Sequence, residues 1–454
     1  MQVSANFGAG LAAYNEPYFN LYNDNLDNLA QWTREHMGGS PGVCIPETMR
    51  FNGAGYENEY WLKSQGISCS EDSRPYYNAR TISTGAEVAL WVWQQYLYTD
   101  DRAFLESHYK LMRDVVRFML AYGKHDASGK FYTYPSNAHE SNWDVLNPTT
   151  DVSAEHALFP VMIEAANTLK INEDLVKQLQ TEIAVLPALP ERNLDELRIL
   201  KEGEPHDRSI IANSYMPDAI KHNEENIGLE PVWPYGLIGD DGPMHELGVR
   251  TYMNRPNKFQ ADWSADPVQA ARLGLASEVK TGLVALTKRY QAAPSGLAQF
   301  TVPSEFYIEQ IGVVADALQN ALAQDYDGLL RILPAWPKDW NGDGSISIPH
   351  GGRVYVQVRD GELVTAGVRA DAAQELRIRN PWLGHGAKVV DASSGALVKE
   401  SEDATFTLPM ESGKVYLLER ADAVVKLPLA AVTGVPASAP KHIGQPSIGL
   451  EAAR

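Results

Sequence analysis

The densest run of chemistry-bearing residues is Tyr134-Pro-Ser-Asn-Ala-His-Glu-Ser-Asn-Trp-Asp-Val-Leu-Asn-Pro148, which sets Glu140 and Asp144 beside His139 and Trp143. A carboxyl group near aromatic surface is partly desolvated, which raises its pKa and suits it to general-acid work. Trp143 and the like charge of Asp144 are the groups expected to do this to Glu140. The same polar residues also suit a plain loop, where they satisfy backbone donors. A second cluster, Asn226-Ile-Gly-Leu-Glu230-Pro-Val-Trp-Pro-Tyr-Gly236, is followed by Gln260-Ala-Asp-Trp-Ser264. Trp233 and Trp263 have the flat apolar faces on which sugar rings stack, and helix-packing aromatics are the plainer reading of each. A third, Pro303-Ser-Glu305-Phe-Tyr-Ile-Glu309-Gln-Ile-Gly312, places Glu309 at a helix start, where its charge also suits the helix dipole. Glu47, in Cys44-Ile-Pro-Glu-Thr-Met49, is a fourth carboxylate.

Other chemistries find less support. Asp339-Trp-Asn341-Gly-Asp343-Gly344 follows the first half of a calcium-loop pattern, but position twelve is His350 and the flank reads as strand. A turn is the better reading, and neither a metal nor a cofactor is expected. There is no P-loop, no G-x-G-x-x-G, no G-x-S-x-G and no H-E-x-x-H, so phosphoryl transfer, dinucleotide binding and serine-hydrolase chemistry have no foothold.

The elements that must position these residues divide at about residue 330. Before it, helical periodicity runs over 84–98, along an apolar stripe from Phe104 to Leu120, and over roughly 154–170, 173–186, 265–291 with a break near Gly274, and 309–323. Asp100 or Asp101 is placed to cap the second of these, and Gly123 to stop it. The connections 132–152, 203–243 and 251–267 are rich in Trp, Asn, Pro and acidic residues, the usual home of a site on a helical scaffold. After residue 340 the period becomes two, in six short segments between Val354 and Leu418 separated by Gly, Asp or Ser turns, which predicts a β-sandwich. The expected domains are therefore 1–330, 331–426 and a Pro/Ala/Val/Gly-rich tail over 427–454.

Composition bounds the partners. The 454 residues include 39 basic and 58 acidic ones, a net charge of −19, with 44% hydrophobic residues. A surface this acidic repels the phosphates of nucleic acids and anionic lipids, and no run of 18 apolar residues is present to span a membrane. Cys44 and Cys69 suffice for one bridge or for two thiols.

Taken together, the pieces resemble the catalytic region of glycoside hydrolase family 95 and its relatives, the α-L-fucosidase/α-L-galactosidase group. The resemblance runs over about 1–420. It rests on Asn6-Phe-Gly8, the Leu90–Phe118 helical pair, Pro135-Ser-Asn-Ala-His-Glu140, Glu230-Pro-Val-Trp-Pro-Tyr-Gly236, Asp262-Trp-Ser264, Phe306-Tyr-Ile-Glu309 and Leu333-Pro-Ala-Trp-Pro-Lys-Asp-Trp340, followed by Gly351-Gly352. It implies a six-hairpin (α/α)6 toroid followed by a C-terminal antiparallel β-sandwich, and inverting hydrolysis of a glycosidic bond. Glu140 stands where the family has its acid. Glu309 stands where it has the Asp that assists an Asn base, and Asn6 matches the first Asn of an N-x-N element whose second is here Gly8. His139, Trp143, Asp144, Glu230, Trp233 and Trp263 are then expected to bind an oligosaccharide or polysaccharide. The family's N-terminal β-sandwich and early barrel helices have no counterpart before Asn6, so a truncated member is expected, from a periplasmic or secreted parent. A carbohydrate-binding relative without activity and a polysaccharide lyase on the same scaffold are the alternatives.

Overall fold

The computed structural model describes residues 2–58, 65–291, 297–299, 306–423, 441–442 and 447–448. Apart from those last two pairs, the tail read from residue 427 lies outside the described residues, as do Pro303, Ser304 and Glu305. Eleven α-helices occur among the described residues: α1 Gln2–Ala9, α2 Glu16–Asp24, α3 Leu26–His36, α4 Thr84–Thr99, α5 Arg102–Tyr122, α6 Thr149–Leu169, α7 Glu173–Ile183, α8 His245–Met253, α9 Asp266–Arg272, α10 Ala276–Tyr290 and α11 Glu309–Leu322. Two compact units contain them. One comprises Ala13–Leu97 and Asp101–Asn257, the other Met1–Ala12, Tyr98–Asp100 and Lys258–Arg454.

Within the first unit, α5 shows how sequence writes a helix. Asp101 caps it by accepting a hydrogen bond from the Phe104 amide at 3.0 Å, satisfying one of the donors a helix start leaves orphaned. Leu105, Met112, Val115, Val116 and Met119 form the buried stripe. At Gly123 a Cβ would fall 1.9 Å from the Phe131 ring, so only glycine fits where the chain leaves the helix.

Helix α6 begins at Thr149, five residues before the periodicity suggested. Thr, Asp and Ser are loop formers by propensity, but tertiary partners hold them here. Thr149 Oγ1 donates to the Ala212 carbonyl at 2.6 Å, and Asp151 Oδ2 accepts from Thr133 Oγ1 at 3.0 Å. Residues 149–152 of the expected loop are therefore helical. Just before α6, Ser136–Ala138 pairs antiparallel with Asn142–Val145, and the turn of that hairpin presents His139, Glu140 and Ser141. The stretch after α3 is tied to the one before α4 by a Cys44–Cys69 disulfide, which settles the choice that two cysteines left open.

In the second unit, α9 packs on α10 and α11, and α1 packs on α11. Gly274, at φ +74°, makes the break between α9 and α10. The strands after residue 340 form an antiparallel six-stranded sheet in the order Gly342–Ile348, Gly352–Arg359, Glu362–Ala370, Val415–Arg420, Ala387–Asp391, Leu397–Ser401. Gln374–Arg379 and Thr405–Met410 form a second, two-stranded sheet. Val354, Val356, Val368 and Leu418 from the first and Leu376, Ile378, Phe406 and Leu408 from the second share one core. The period of two in the sequence is the signature of these inward-facing rows. Two strands, Gly342–Ile348 and Leu397–Ser401, escape that signal: one is rich in Gly and Ser, and the other has no buried residue. The calcium-like motif runs into the first of them, where Asp343 accepts two hydrogen bonds from Arg359, both at 2.7 Å.

Candidate active site

Four glutamates from separate segments converge around the hairpin turn of the first unit. His139 sits at φ +44°, a backbone region that L-residues with a Cβ rarely occupy. Its Nε2 lies 3.0 Å from Glu230 Oε1 and 3.7 Å from Glu87 Oε1, and its Nδ1 lies 3.5 Å from Glu47 Oε1. Burial opposes protonation of this imidazole, but the carboxylates of Glu230 and Glu47 outweigh it and hold its pKa well above the ordinary histidine value. The same enclosure acts on the carboxyls. Burial, aided by the charges of Glu230 and Glu47 and opposed by His139, pushes Glu87 up to about 7. Burial pushes Glu225 up to about 8, with His139 opposing and Glu47 and Glu140 adding. Glu225 therefore holds its proton at neutral pH, and Glu87 is divided there between its two forms. Behind them, on α6, burial raises Asp151 to about 7 despite hydrogen bonds from Ser136 and Thr133.

Glu140 is fixed from the side. Its Oε2 accepts from Asn223 Nδ2 at 2.7 Å, and its backbone carbonyl accepts from the Trp143 indole at 2.9 Å. The Trp143 ring is stacked on His222, with centroids 3.5 Å apart and planes 7° apart, and Tyr77 meets it edge-on at 4.9 Å. Asp144 pairs with Arg80 at 2.6 Å, so its charge is offset there. Trp233 is buried, with only 6% of its surface exposed, and packs as a core aromatic. Trp263, in the other unit, is partly exposed.

That other unit carries Asn6 on α1 and Glu309 as the first residue of α11. The two helices are stitched together by Ser4 Oγ donating to Asp316 Oδ2 at 2.9 Å and Gln319 Nε2 donating to the Ala5 carbonyl at 2.8 Å. Gly8 now has a physical reason: a Cβ there would lie 2.3 Å from Gln319 Oε1. Asp262 is wholly buried, and the backbone amides of Asp262 and Trp263 act on its carboxyl in favour of the charged form. Burial first, then the charge of Glu309, pushes it up to about 6.

The sequence reading missed Glu87, Asn223, Glu225, His222 and Arg80. Glu87 was legible only as part of the opening turn of α4, and residues 222–225 only as a polar loop. Neither signal says where a side chain ends. Chemically, the cluster offers a carboxyl protonated at neutral pH, carboxylate acceptors for hydroxyl groups, and one imidazolium already occupied by glutamates. Among the described residues no group of three or more His, Cys, Asp or Glu is arranged to hold a metal ion.

The class that the family comparison supports is that of the glycosidases. Residues 6–198 match the family model of the Glycosyl hydrolase family 95 catalytic domain. That stretch contains Asn6, Glu47, Glu87, His139 and Glu140, and ends before Glu225, Glu230, Asp262 and Glu309. Among curated proteins no sequence matches. Among solved structures, a glycosidase variant is similar at 12% identity and a TM-score of 0.41, over 70% of this chain and 84% of that one. A Streptomyces avermitilis α-L-rhamnosidase complexed with L-rhamnose is similar at 12% identity and a TM-score of 0.39, over 74% of this chain and 32% of that one. Neither bears on the chemistry of this chain.

Proposed function

We propose that the protein is an inverting glycoside hydrolase acting on a neutral oligosaccharide or polysaccharide. In this reading Glu140 protonates the leaving oxygen, and Glu309, with Asn6, activates the attacking water. His139, Glu230, Trp143, Asp144 and Trp263 serve the substrate side, with Glu47 and Glu87 added by their contacts to His139; Trp233, buried in the core, has no part in it. The helices then belong to an (α/α)6 toroid over 1–330, followed by a β-sandwich over 331–426. The observation that carries the reading is the carboxyl of Glu140, inside the family match, held by Asn223 next to the His139–glutamate cluster. A neutral glycan suits this surface, because its hydroxyls donate to carboxylates, whereas the uronate of a lyase substrate needs cations that the cluster spends on itself.

Glu140→Gln is expected to abolish turnover of unactivated glycosides while sparing those with good leaving groups, since the latter need little proton donation. Equal rates for variant and wild type on an unactivated glycoside would remove Glu140 from the role. Proton NMR of the first-formed anomer tests inversion. Release of the retained anomer would instead require a nucleophile about 5–5.5 Å from the acid. Binding of glycosides without turnover would favour the carbohydrate-binding alternative.

A further inference from the structure

Glu47 lies between α3 and α4, in a stretch over 37–55 that has neither helix nor strand, so no regular element sets its position. Other ties do. The Val43 amide donates to the Asp114 carbonyl and the Cys44 amide to Thr33 Oγ1, both at 2.8 Å, which fastens 43–44 to α5 and α3. The Cys44–Cys69 bridge joins this stretch to segment 68–80. Beside the bridge, the Glu47 amide donates to Ser68 Oγ at 3.2 Å, and Ser68 Oγ donates to the Asn78 carbonyl at 2.9 Å. Asn78 Nδ2 donates in turn to Thr48 Oγ1 at 3.1 Å. The same segment holds the hairpin that carries His139. Asn137 Nδ2 donates to the carbonyls of Tyr76 and Tyr77 at 2.7 and 3.0 Å, and the Asn137 amide to the Arg80 carbonyl at 3.0 Å. The buried Arg80 guanidinium reaches Asp144 on the hairpin's second strand.

We propose that segment 68–80 is a positioning frame for the cluster: through the Cys44–Cys69 bridge and Ser68 on one side and Asn137 on the other, it sets the carboxylate of Glu47 against His139 Nδ1. The inference rests on the reading of His139 and Glu47 as substrate-side residues. Glu47 Oε1 and His139 Nδ1 stand 3.5 Å apart, at the outer limit of a hydrogen bond, where a small displacement of either backbone breaks the contact. Glu230 and Glu87 both lie toward the other ring nitrogen, Nε2, so Glu47 is the carboxylate that serves Nδ1. A carboxylate so placed favours the imidazolium, and its effect weakens as it moves away. Cys44, Cys69 and Ser68 are themselves fully buried. They touch no substrate and act on the site through Glu47.

The test is an NMR titration of the full chain with carbon-13-labelled histidines, in which the His139 ring is identified by its loss in His139→Asn. Wild type is compared with Ser68→Ala and with Cys44→Ala/Cys69→Ala. Ser68→Ala keeps the bridge and so serves where removal of both cysteines prevents folding; thermal melts show which variants are folded. The groups facing His139 are Glu47, Glu87 on α4 and Glu230, with Glu225 and Asp151 of α6 acting through their charge. All of them are present in every variant, so a shift reports displacement of Glu47. The His139 midpoint is expected to fall by about half to one pH unit in each folded variant. For an aryl glycoside that the wild type turns over, kcat/KM is expected to fall about tenfold or more. A His139 midpoint unchanged in every folded variant overturns the proposal. A lowered midpoint with unchanged kcat/KM supports the frame and removes His139 and Glu47 from the substrate side instead.

Discussion

His139 shows how a single residue is held where its backbone resists being. A non-glycine residue in the left-handed region costs about 1–2 kcal/mol, and here Glu47, Glu87 and Glu230 converge on the side chain that is so constrained. Strained residues of this kind gather at working sites, where surrounding contacts over-determine them. Asp262 is the opposite case: a buried carboxyl whose backbone hydrogen bonds are outweighed by desolvation, with the charge of Glu309 adding. Its folded pKa, about 6, lies above the unfolded value of a free aspartate. Folding therefore binds a proton at Asp262, and the stability this group allows declines as pH rises from about 4 through 6. Asp262→Asn is accordingly expected to raise the melting temperature at pH 8 and to leave it nearly unchanged at pH 4. Scanning calorimetry at the two pH values checks this; an equal gain at both would mean that charge has no part in it.

At the scale of elements, α1 and α11 are held together by contacts that no local pattern announces. The Gln319 side chain does two things: it bonds the Ala5 carbonyl and fills the space beside Gly8. Alanine in place of a helical glycine usually gains up to about 1 kcal/mol, while loss of a hydrogen bond costs about the same. Gly8→Ala should thus be neutral or destabilising alone, yet stabilising in a Gln319→Ala background. Denaturant unfolding of the two single variants and the double variant reads the coupling, and strict additivity would separate the two residues. The Cys44–Cys69 bridge is a second non-local tie. Closing a loop of this length restricts the unfolded chain by about 3–4 kcal/mol in the entropy treatment. Replacing both cysteines with alanine is expected to lower stability by an amount of that order, measured by the same unfolding experiment; no change would assign the stretch between them to a part of the molecule that unfolds separately.

For the molecule as a whole, proton uptake on folding sets the response to pH. Glu87 and Asp151 titrate near 7 and Glu225 near 8 in the folded protein, all raised by burial. Each binds its proton more tightly folded than unfolded. Stability should therefore fall as pH rises from about 5 to 8. Carboxyls shifted the other way, such as Glu204, held near 2 by Arg198, contribute only as pH drops below about 4. Thermal melts from pH 5 to 8 are expected to show a declining midpoint, flattened in Asp151→Asn, which keeps an acceptor for Thr133. A midpoint that rises over this range would mean that these carboxyls are ionised in the folded state.

Some of this protein could be determined from sequence alone. The change of period near residue 340, a cap at Asp100 or Asp101, the stop at Gly123 and the break at Gly274 are local: each depends on a backbone preference or on a side chain's reach within one turn. The run from Pro135 to Glu140 likewise carried its chemistry on its face, because residue types packed so closely must share one loop. What the sequence could not supply is which groups those residues would meet. Asp144 lies four residues from Glu140 yet pairs with Arg80, while Asn223, eighty-three residues away from Glu140, donates to its carboxyl. Only the tertiary structure sets three glutamates on His139, hides Trp233 and fills the space beside Gly8 with Gln319. Desolvation and Coulomb energy depend on distances in space, and the order of residues along a chain fixes those distances only within an element.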